Sequence, residues 1–388
     1  MDDFESLPTT TPKDFFYSYW DVFAGLFFFF AAIITHLNHN IFLATIFSAL
    51  AIASISVTVS EIAEVLAERL SEPYGSFVLT FSAVIVEIIL LFSVLLQGAQ
   101  SASTLETVQG GIISAVIVDL NVLLGLAVFI GGLNFKEQAH NEESSSTYTT
   151  ILLVAASALL VPSILHQTRH DEDVLWHASV TISIVLSIYY LLIYIFQTKT
   201  HSHFFKATAR SRIFRIKRAL STLKDEDKEK NDDYIFDNMS TKMNFLVIFL
   251  LIFAIGFLAE IFAHDGIVVF ATQGISVGMA GLIIAIISVS PEIFTAIKAA
   301  TNDQMQRVVN IAMGASTVSI MLTVPILMAL SYSAGIKLTL NFNPLQVGAL
   351  ILTVILVWKT TDDGQTNYIE GASHLLFFSA YAIITSLY

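Results

Sequence analysis

A series of long apolar blocks runs along the chain and constrains its fold more than any other feature. Hydrophobic residues make up 55% of the 388 residues and charged residues only 13%, whereas soluble domains carry roughly 25% charged residues. The blocks match the roughly 20 residues that an α-helix needs to cross the hydrocarbon core of a bilayer. Strands of a membrane barrel would be about half as long and would alternate in polarity. The sequence therefore predicts an all-α, polytopic membrane protein.

Eleven of these blocks are predicted membrane spans, and their order suggests one N-terminal helix followed by two groups of five. The predicted spans are residues 20–35, 41–60, 74–97, 110–132, 148–166, 174–197, 243–263, 274–300, 306–331, 342–358 and 371–387. The predicted organisation is a cytoplasmic N-terminal tail (1–19), a first transmembrane helix (20–40), five-helix repeat 1 (41–197), a cytoplasmic linker (198–242) and five-helix repeat 2 (243–388).

Lys and Arg are distributed very unevenly between alternate loops. With eleven spans, 17 of the 19 Lys and Arg residues lie on one face, and only Arg169 and Lys337 lie on the other. Cytoplasmic loops retain positive residues during insertion. We therefore predict a multi-pass protein of the cell (inner) membrane with a cytoplasmic N-terminus. Because five is odd, the two five-helix repeats would have opposite orientations, as in many secondary transporters.

The linker 198–242 changes from basic to acidic midway. The basic half (KATARSRIFRIKRALSTLK) is typical of a segment that lies near anionic lipid headgroups. The acidic half (DEDKEKNDD) is either a solvated charge run or a regulatory, cation-sensing segment.

Two glutamates occupy equivalent places in the two predicted repeats. Glu87 lies near the middle of the second helix of repeat 1, and Glu292 lies in the second helix of repeat 2. A charged side chain at mid-membrane costs at least about 2.5 kcal/mol, so it requires a partner or a water-filled cavity. We predict that both glutamates bind cations and protons and act as metal ligands. The alternative is that each is protonated and merely bonds a neighbouring helix.

Further oxygen donors are predicted close to the two glutamates. Pro291 removes a backbone N–H, so its helix is expected to kink or open there and to free carbonyl ligands. Hard oxygen ligands suit Ca²⁺, Na⁺ or protons, and the chain has no cysteine and no paired histidine motif for Zn²⁺ or copper. The nearby hydroxyl residues expected to add oxygen atoms are Thr80 and Ser82, within two turns of Glu87, and Ser288 and Ser290, close to Glu292.

The third helices of the two repeats also carry polar residues. In the first repeat these are Asp119 and Asn121, and an intramembrane acid such as Asp119 is by default a functional residue. In the second repeat they are Ser316, Thr317 and Ser319. The hydroxyl set either contributes to the cation site, with Ser316 as its foremost member, or belongs to a small-residue packing surface.

Two more groups of ionisable residues lie near span ends, and each has two interpretations. The first group is either a cytoplasmic acidic vestibule or a wet amphipathic turn. The second is either an outer proton path or an interfacial helix end. The groups are Glu61, Glu64 and Glu68, and Glu260, His264 and Asp265, respectively.

From about residue 67 to the end, the chain resembles the calcium/cation antiporter superfamily, and within it the ChaA-type sodium-potassium and calcium/proton antiporters. The strings that carry the resemblance are AERLSEPYGSFVLTFSAVIVE, IYIFQTKTH, SPEIFTAIKAATNDQMQRVVNIAMGAS, TVPILMAL and TNYIEGASHLLFFSAYAI. The resemblance implies inverted repeats, a glutamate from each at the ion site (Glu87 and Glu292), and cation export driven by protons. Many relatives carry Gly-Asn shortly before each acid, where this chain has SAVIVE and SVSPE, so the sequence leaves the choice of ion open.

The predicted function is a secondary cation/proton antiporter that exports Ca²⁺, or alternatively Na⁺ or K⁺, in exchange for H⁺. A passive cation channel is a second interpretation. An intramembrane enzyme is not predicted, because no nucleophile with a base and no HExxH motif is present. We expect inorganic cations, protons and membrane lipid as partners, no cofactor and no nucleic acid; the sequence gives no oligomeric state.

Overall fold

Eleven long helices form the architecture of the part of the chain that the structure describes, and the all-α prediction is confirmed. The computed structural model describes residues 19–70, 74–98, 101–168, 171–205 and 235–387; the first 18 residues of the predicted tail and residues 206–234 of the predicted linker lie outside this part. Nine of the helices in the described ranges are long and apolar enough to cross a membrane. The helices are α1 (Trp20–Leu37), α2 (Ile41–Arg69), α3 (Tyr74–Gln97), α4 (Ala102–Phe135), α5 (Glu142–Thr168), α6 (Glu172–Thr200), α7 (Thr241–Thr272), α8 (Val277–Ala300), α9 (Met305–Ser333), α10 (Pro344–Thr361) and α11 (Tyr368–Leu387).

Polar residues cap several helix starts and so fix where the membrane segments begin. The side chains of Asn40, Ser240 and Ser276 accept hydrogen bonds from the backbone N–H groups three residues further on. Asn343 forms a capping box with Gln346 at the start of α10. These bonds satisfy N–H groups that have no partner within the helix.

Contacts between loops follow the alternation expected of eleven crossings. We call the side that holds most Lys and Arg the basic face and the other side the opposite face. On the basic face, Arg69 donates to the carbonyls of Met239 (2.5 Å) and Phe236 (3.3 Å). On the opposite face, Lys337 pairs with Asp173 at 2.8 Å. Each contact joins two loops that an eleven-span topology places on the same side of the membrane.

A short β-ribbon on the basic face was not predicted. Strand β1 (Glu137–Ala139) follows α4, and strand β2 (Gln365–Asn367) precedes α11. They pair antiparallel, with Gln138 opposite Thr366. A strand of three residues is too short to show the alternation of polarity that identifies a strand in a sequence. The ribbon joins the two groups of helices at this face.

Helices α4 and α9 each contain a π-helical segment near the middle. The segments are Val118–Leu123 in α4 and Ser319–Thr323 in α9. A π-helical turn inserts an extra residue into the helix, and such turns are frequent at functional sites. Asp119 lies in the first segment and Ser319 begins the second, so both interruptions occur where polar side chains occupy the membrane interior.

Helix α8 does not open at Pro291, so the expected free carbonyl is absent from this described helix. The helix is continuous from Val277 to Ala300. The carbonyl that Pro291 cannot serve is that of Ile287, four residues earlier. The hydroxyl of Ser290 donates to this carbonyl at 2.7 Å. Ser290 therefore replaces the missing donor and stabilises the helix.

Glycines allow α4 and α8 to touch on the side of the membrane interior nearer the opposite face. A Cβ atom added to Gly281 would lie 2.6 Å from the backbone N of Gly111 and 2.7 Å from the carbonyl O of Thr107. Real Cβ atoms essentially never approach backbone so closely. The crossing therefore requires glycine at this position and brings the two backbones into direct contact.

We predict that Gly281→Ala lowers the thermal midpoint of the detergent-solubilised protein, because the new methyl group forces α4 and α8 apart. Overpacking of this kind costs about 1–3 kcal/mol. Gly256→Ala in α7 is the matched control, since a Cβ there meets nothing within 4 Å. Equal melting temperatures for the two variants would contradict the close crossing.

Candidate cation-binding site

A cavity of about 660 Å³ opens between the helices and brings the three predicted intramembrane acids together. Glu87 of α3, Asp119 of α4 and Glu292 of α8 all line it. The other lining residues are Ser60, Glu64, Val84, Tyr148, Tyr190, Tyr194, Gln197, Thr198, Ser202, Ser288, Val289, Thr295, Arg307, Asn310, Ile311, Gly314, Ala315, Thr317, Val318 and Ser319. Along each helix the lining residues lie near the middle or in the half that is nearer the basic face. The cavity therefore extends toward that face.

Glu87 is held by two hydroxyl groups from the π-helical segment of α9. Its side chain is buried, with 7% exposed. Ser319 and Thr323 each donate a hydrogen bond of 2.9 Å to the same oxygen, Oε2. Hydrogen bonds to a charged group are stronger than those between neutral groups. The pair therefore favours the ionised carboxylate and fixes its orientation.

Asp119 is buried more deeply, with 1% of its surface exposed. It lies in the π-helical segment of α4, and Ser316 of α9 donates to its Oδ2 at 3.3 Å. Each of the two acids thus takes hydroxyl donors from α9. This gives the predicted Ser316 a definite role as a partner of Asp119.

One oxygen of each carboxyl group is buried without a hydrogen-bond partner. These atoms are Oε1 of Glu87, Oδ1 of Asp119 and Oε2 of Glu292. Within the described ranges no Lys or Arg forms an ion pair with any of the three acids. The acids are close enough to repel one another electrostatically. A bound cation or protons would neutralise such a group.

Four other predicted residues have different surroundings. Ser288 lines the cavity, although its hydroxyl also donates to the carbonyl of Ala285 at 3.0 Å. Ser82 is buried but is not among the lining residues, and neither is Ser290, whose hydroxyl serves its own helix. The side chain of Thr80 lies outside the described part of the chain.

Asn121 is turned away from the cavity into a separate buried network. Its Nδ2 donates to Thr353 of α10 at 2.9 Å, and its Oδ1 lies 3.0 Å from Nδ1 of His374 of α11. The other ring nitrogen of His374 lies 3.0 Å from the hydroxyl of Thr360. This network holds the side of the π-helical segment of α4 that faces α10 and α11. Asn121 does not line the cavity. We therefore expect it to hold the backbone around Asp119 in place rather than to bind an ion.

Sequence reasoning missed Thr323 and Asp21. Thr323 follows Ser316 and Ser319 at intervals of three and four residues, so helical periodicity alone could have placed it on their face. Asp21 in the first turn of α1 is 1% exposed and accepts a short hydrogen bond from Thr58 of α2. Its position at a predicted span end concealed that it is buried.

The mouth of the cavity carries an ion pair between Glu64 of α2 and Arg307 of α9. Both side chains are about two-fifths exposed, at 38% and 42%. Glu64 therefore belongs to a vestibule, which was one of the two interpretations of the acidic group. Glu61 is partly buried and does not line the cavity, and the side chain of Glu68 lies outside the described part.

A sequence model of the family described as "Sodium/calcium exchanger protein" matches residues 40–199 and 243–387. The chain belongs to this family. The resemblance to the calcium/cation antiporter superfamily and its ChaA-type members is thereby confirmed, and the chain is a cation exchanger.

Two curated relatives show the range of ions within the family. The chain is 27% identical over 334 residues to the sodium-potassium/proton antiporter ChaA of Escherichia coli K12, which covers 85% of each protein. It is 26% identical over 306 residues to a Ca²⁺/H⁺ antiporter of Synechocystis, which covers 77% of each.

Solved structures show the same fold. The Ca²⁺/H⁺ antiporter protein YfkE superposes with a TM-score of 0.74 at 19% identity, covering 95% of this chain and 100% of that chain. An H⁺/Ca²⁺ exchanger, CAX, superposes with a TM-score of 0.66 at 17% identity, covering 96% of this chain and 92% of that chain.

We predict that Thr323→Val weakens cation binding by the purified protein by about tenfold or more, with Ca²⁺ as the ion titrated. The variant removes one donor to the ionised Glu87, and such a bond is worth about 1.5–3 kcal/mol. Isothermal titration calorimetry at fixed pH measures the change. Thr149→Val is the control, because this buried hydroxyl bonds only to carbonyls of its own helix. An unchanged Kd for Thr323→Val would refute the role of this bond.

Proposed function

We propose that the chain is a secondary active antiporter that exports Ca²⁺ in exchange for H⁺. The observation that carries the proposal is the set of three carboxyl groups in a single cavity, each with a buried oxygen that lacks a hydrogen-bond partner; Glu87 and Asp119 are buried and Glu292 is partly buried. Ca²⁺ binds six to eight oxygen ligands and favours carboxylates. The three carboxyl groups, with the hydroxyls of Ser288 and Ser319, supply oxygens of this type.

The charges of the site suggest how cation and proton exchange places. Three ionised carboxylates without a basic partner are unstable in a low-dielectric interior, and either a divalent cation or protons relieve their repulsion. One Ca²⁺ and about two protons neutralise the same charge. Binding of Ca²⁺ therefore promotes release of protons, and binding of protons promotes release of Ca²⁺. We assign Glu87 and Glu292 as residues that bind both Ca²⁺ and protons.

Alternating access fits the arrangement of the helices. The cavity extends toward the basic face, while α4 and α8 touch at Gly111 and Gly281 on the other side of the acids. We assign the basic face to the cytoplasm of the cell (inner) membrane, with the N-terminus on that side. We further assign residues 41–197 and 243–388 to two inverted repeats, whose third helices carry the two π-helical segments. Movement of one repeat against the other would expose the acids to the opposite face.

A Na⁺(K⁺)/H⁺ antiporter is the second candidate, and the name of the Escherichia coli relative favours it. A site with three carboxyl groups suits a divalent ion better, because more than one negative charge has to be neutralised. A passive channel is disfavoured by the contact between α4 and α8, which leaves the cavity open toward one face only.

The proposal is tested in proteoliposomes that carry a pH-sensitive dye. Addition of Ca²⁺ to one side should drive proton movement in the opposite direction, and Na⁺ or K⁺ should drive less. Glu87→Gln and Glu292→Gln should each reduce this flux at least about a hundredfold, because the amide can neither release a proton nor neutralise the ion.

Glu143→Gln provides the control, since Glu143 is exposed in the first turn of α5. Larger responses to Na⁺ or K⁺ would establish the monovalent alternative. Ca²⁺ current without stoichiometric proton movement would establish a channel. Full exchange by both glutamine variants would show that the site is elsewhere.

A further inference from the structure

A second group of ionisable side chains joins α1 to α7 near the opposite face. Asp265 of α7 is 1% exposed, and each of its oxygens contacts one histidine ring. Oδ2 lies 2.7 Å from Nδ1 of His36 in the last turn of α1, and Oδ1 lies 2.8 Å from Nδ1 of His264. The ligand atoms of all three side chains lie within 4.8 Å of one another.

The charge of Asp265 has no basic partner other than these rings. Among the described residues its ion pairs are with His36 and His264, and neither Lys nor Arg takes part. The two histidine side chains are 36% and 61% exposed. A buried carboxylate is thus covered by two imidazoles that solvent can reach. A cation arriving from the opposite face would meet both rings first.

We propose that His36, His264 and Asp265 bind a transition-metal cation of the Zn²⁺ type. Two imidazole nitrogens, one carboxylate oxygen and a water molecule make up a common tetrahedral set for Zn²⁺. Bonds of about 2.0 Å place the ligand atoms of such a site about 3.3 Å apart. The contacting atoms are now slightly closer than this and the others lie within 4.8 Å, so small rotations of exposed rings form the site.

The site is distinct from the transport cavity. None of its three residues lines that cavity. His36 also precedes the first matched segment of the family model, which begins at residue 40. A bound metal would therefore tie the additional N-terminal helix to α7. The prediction of an outer proton path through Glu260, His264 and Asp265 gains no support, because Glu260 is exposed and is not part of the group.

The test is a Zn²⁺ titration of the purified full chain in detergent at pH 7.5, after removal of any polyhistidine tag and of bound metal with a chelator. We expect one saturable site by calorimetry and a rise in melting temperature. Co²⁺ in place of Zn²⁺ should give the visible absorption of a tetrahedral nitrogen and oxygen complex. His36→Ala, His264→Ala and Asp265→Asn should each weaken Zn²⁺ binding at least tenfold.

Two controls separate this site from other places where Zn²⁺ can bind. His177→Ala should retain full affinity, because His177 is an exposed histidine near the same face that lies outside the group. Glu87→Gln/Glu292→Gln should also retain it, even though this variant lacks two of the three acids of the transport cavity. If the wild type shows no saturable Zn²⁺ binding, or if the three ligand variants bind as tightly as the wild type, the proposal is wrong.

Discussion

Three carboxyl groups that line one cavity, and that pair with no Lys or Arg in the described part of the chain, set the requirements that the surrounding structure meets. An isolated ionised carboxylate is very costly to transfer from water into a low-dielectric interior, so in practice it takes up a proton or binds a cation. Glu87 and Asp119 receive hydroxyl donors from α9, while one oxygen of each acid stays without a partner. The protein therefore stabilises these acids only in part, and in the proposed exchange the transported ions neutralise the remaining charge.

The backbone around the acids is adapted to the same requirement. The two π-helical segments present Asp119 from α4 and Ser319 from α9 toward one cavity. Helix α8 carries Glu292 beside a proline, and the hydroxyl of Ser290 repairs the hydrogen bond that Pro291 removes. The glycine crossing of α4 with α8 then closes the interior on the far side of the acids. The two π-helical segments, the continuous helix α8 and the tight crossing of α4 with α8 together leave the cavity extending toward the basic face.

The helices and the three acids could be predicted from the sequence because the membrane imposes simple rules. An apolar block that crosses the membrane must be helical and about 20 residues long, and an acid within such a block is by default a functional residue. Side-chain direction could not be predicted in the same way. Asn121 lies two residues after Asp119 and faces His374, because residues two positions apart do not share a face of a helix; which of the two faces the cavity depends on how α4 packs against its neighbours.

Other features were concealed because they depend on contacts between distant segments. The β-ribbon forms by pairing between two loops more than two hundred residues apart. The burial of Asp21 depends on α2 lying against the start of α1. Neither the periodicity of hydrophobic residues nor local composition predicts contacts between distant segments.

The central claim is that cations and protons compete for the same three carboxyl groups. It is tested most directly by counting the protons that the purified protein releases when it binds Ca²⁺, using calorimetry in buffers of different ionisation enthalpy. We predict release of about two protons per Ca²⁺ near neutral pH, fewer as rising pH ionises the acids beforehand, and none for Glu87→Gln/Glu292→Gln. Saturable Ca²⁺ binding by the wild type with no proton release at any pH would contradict the account.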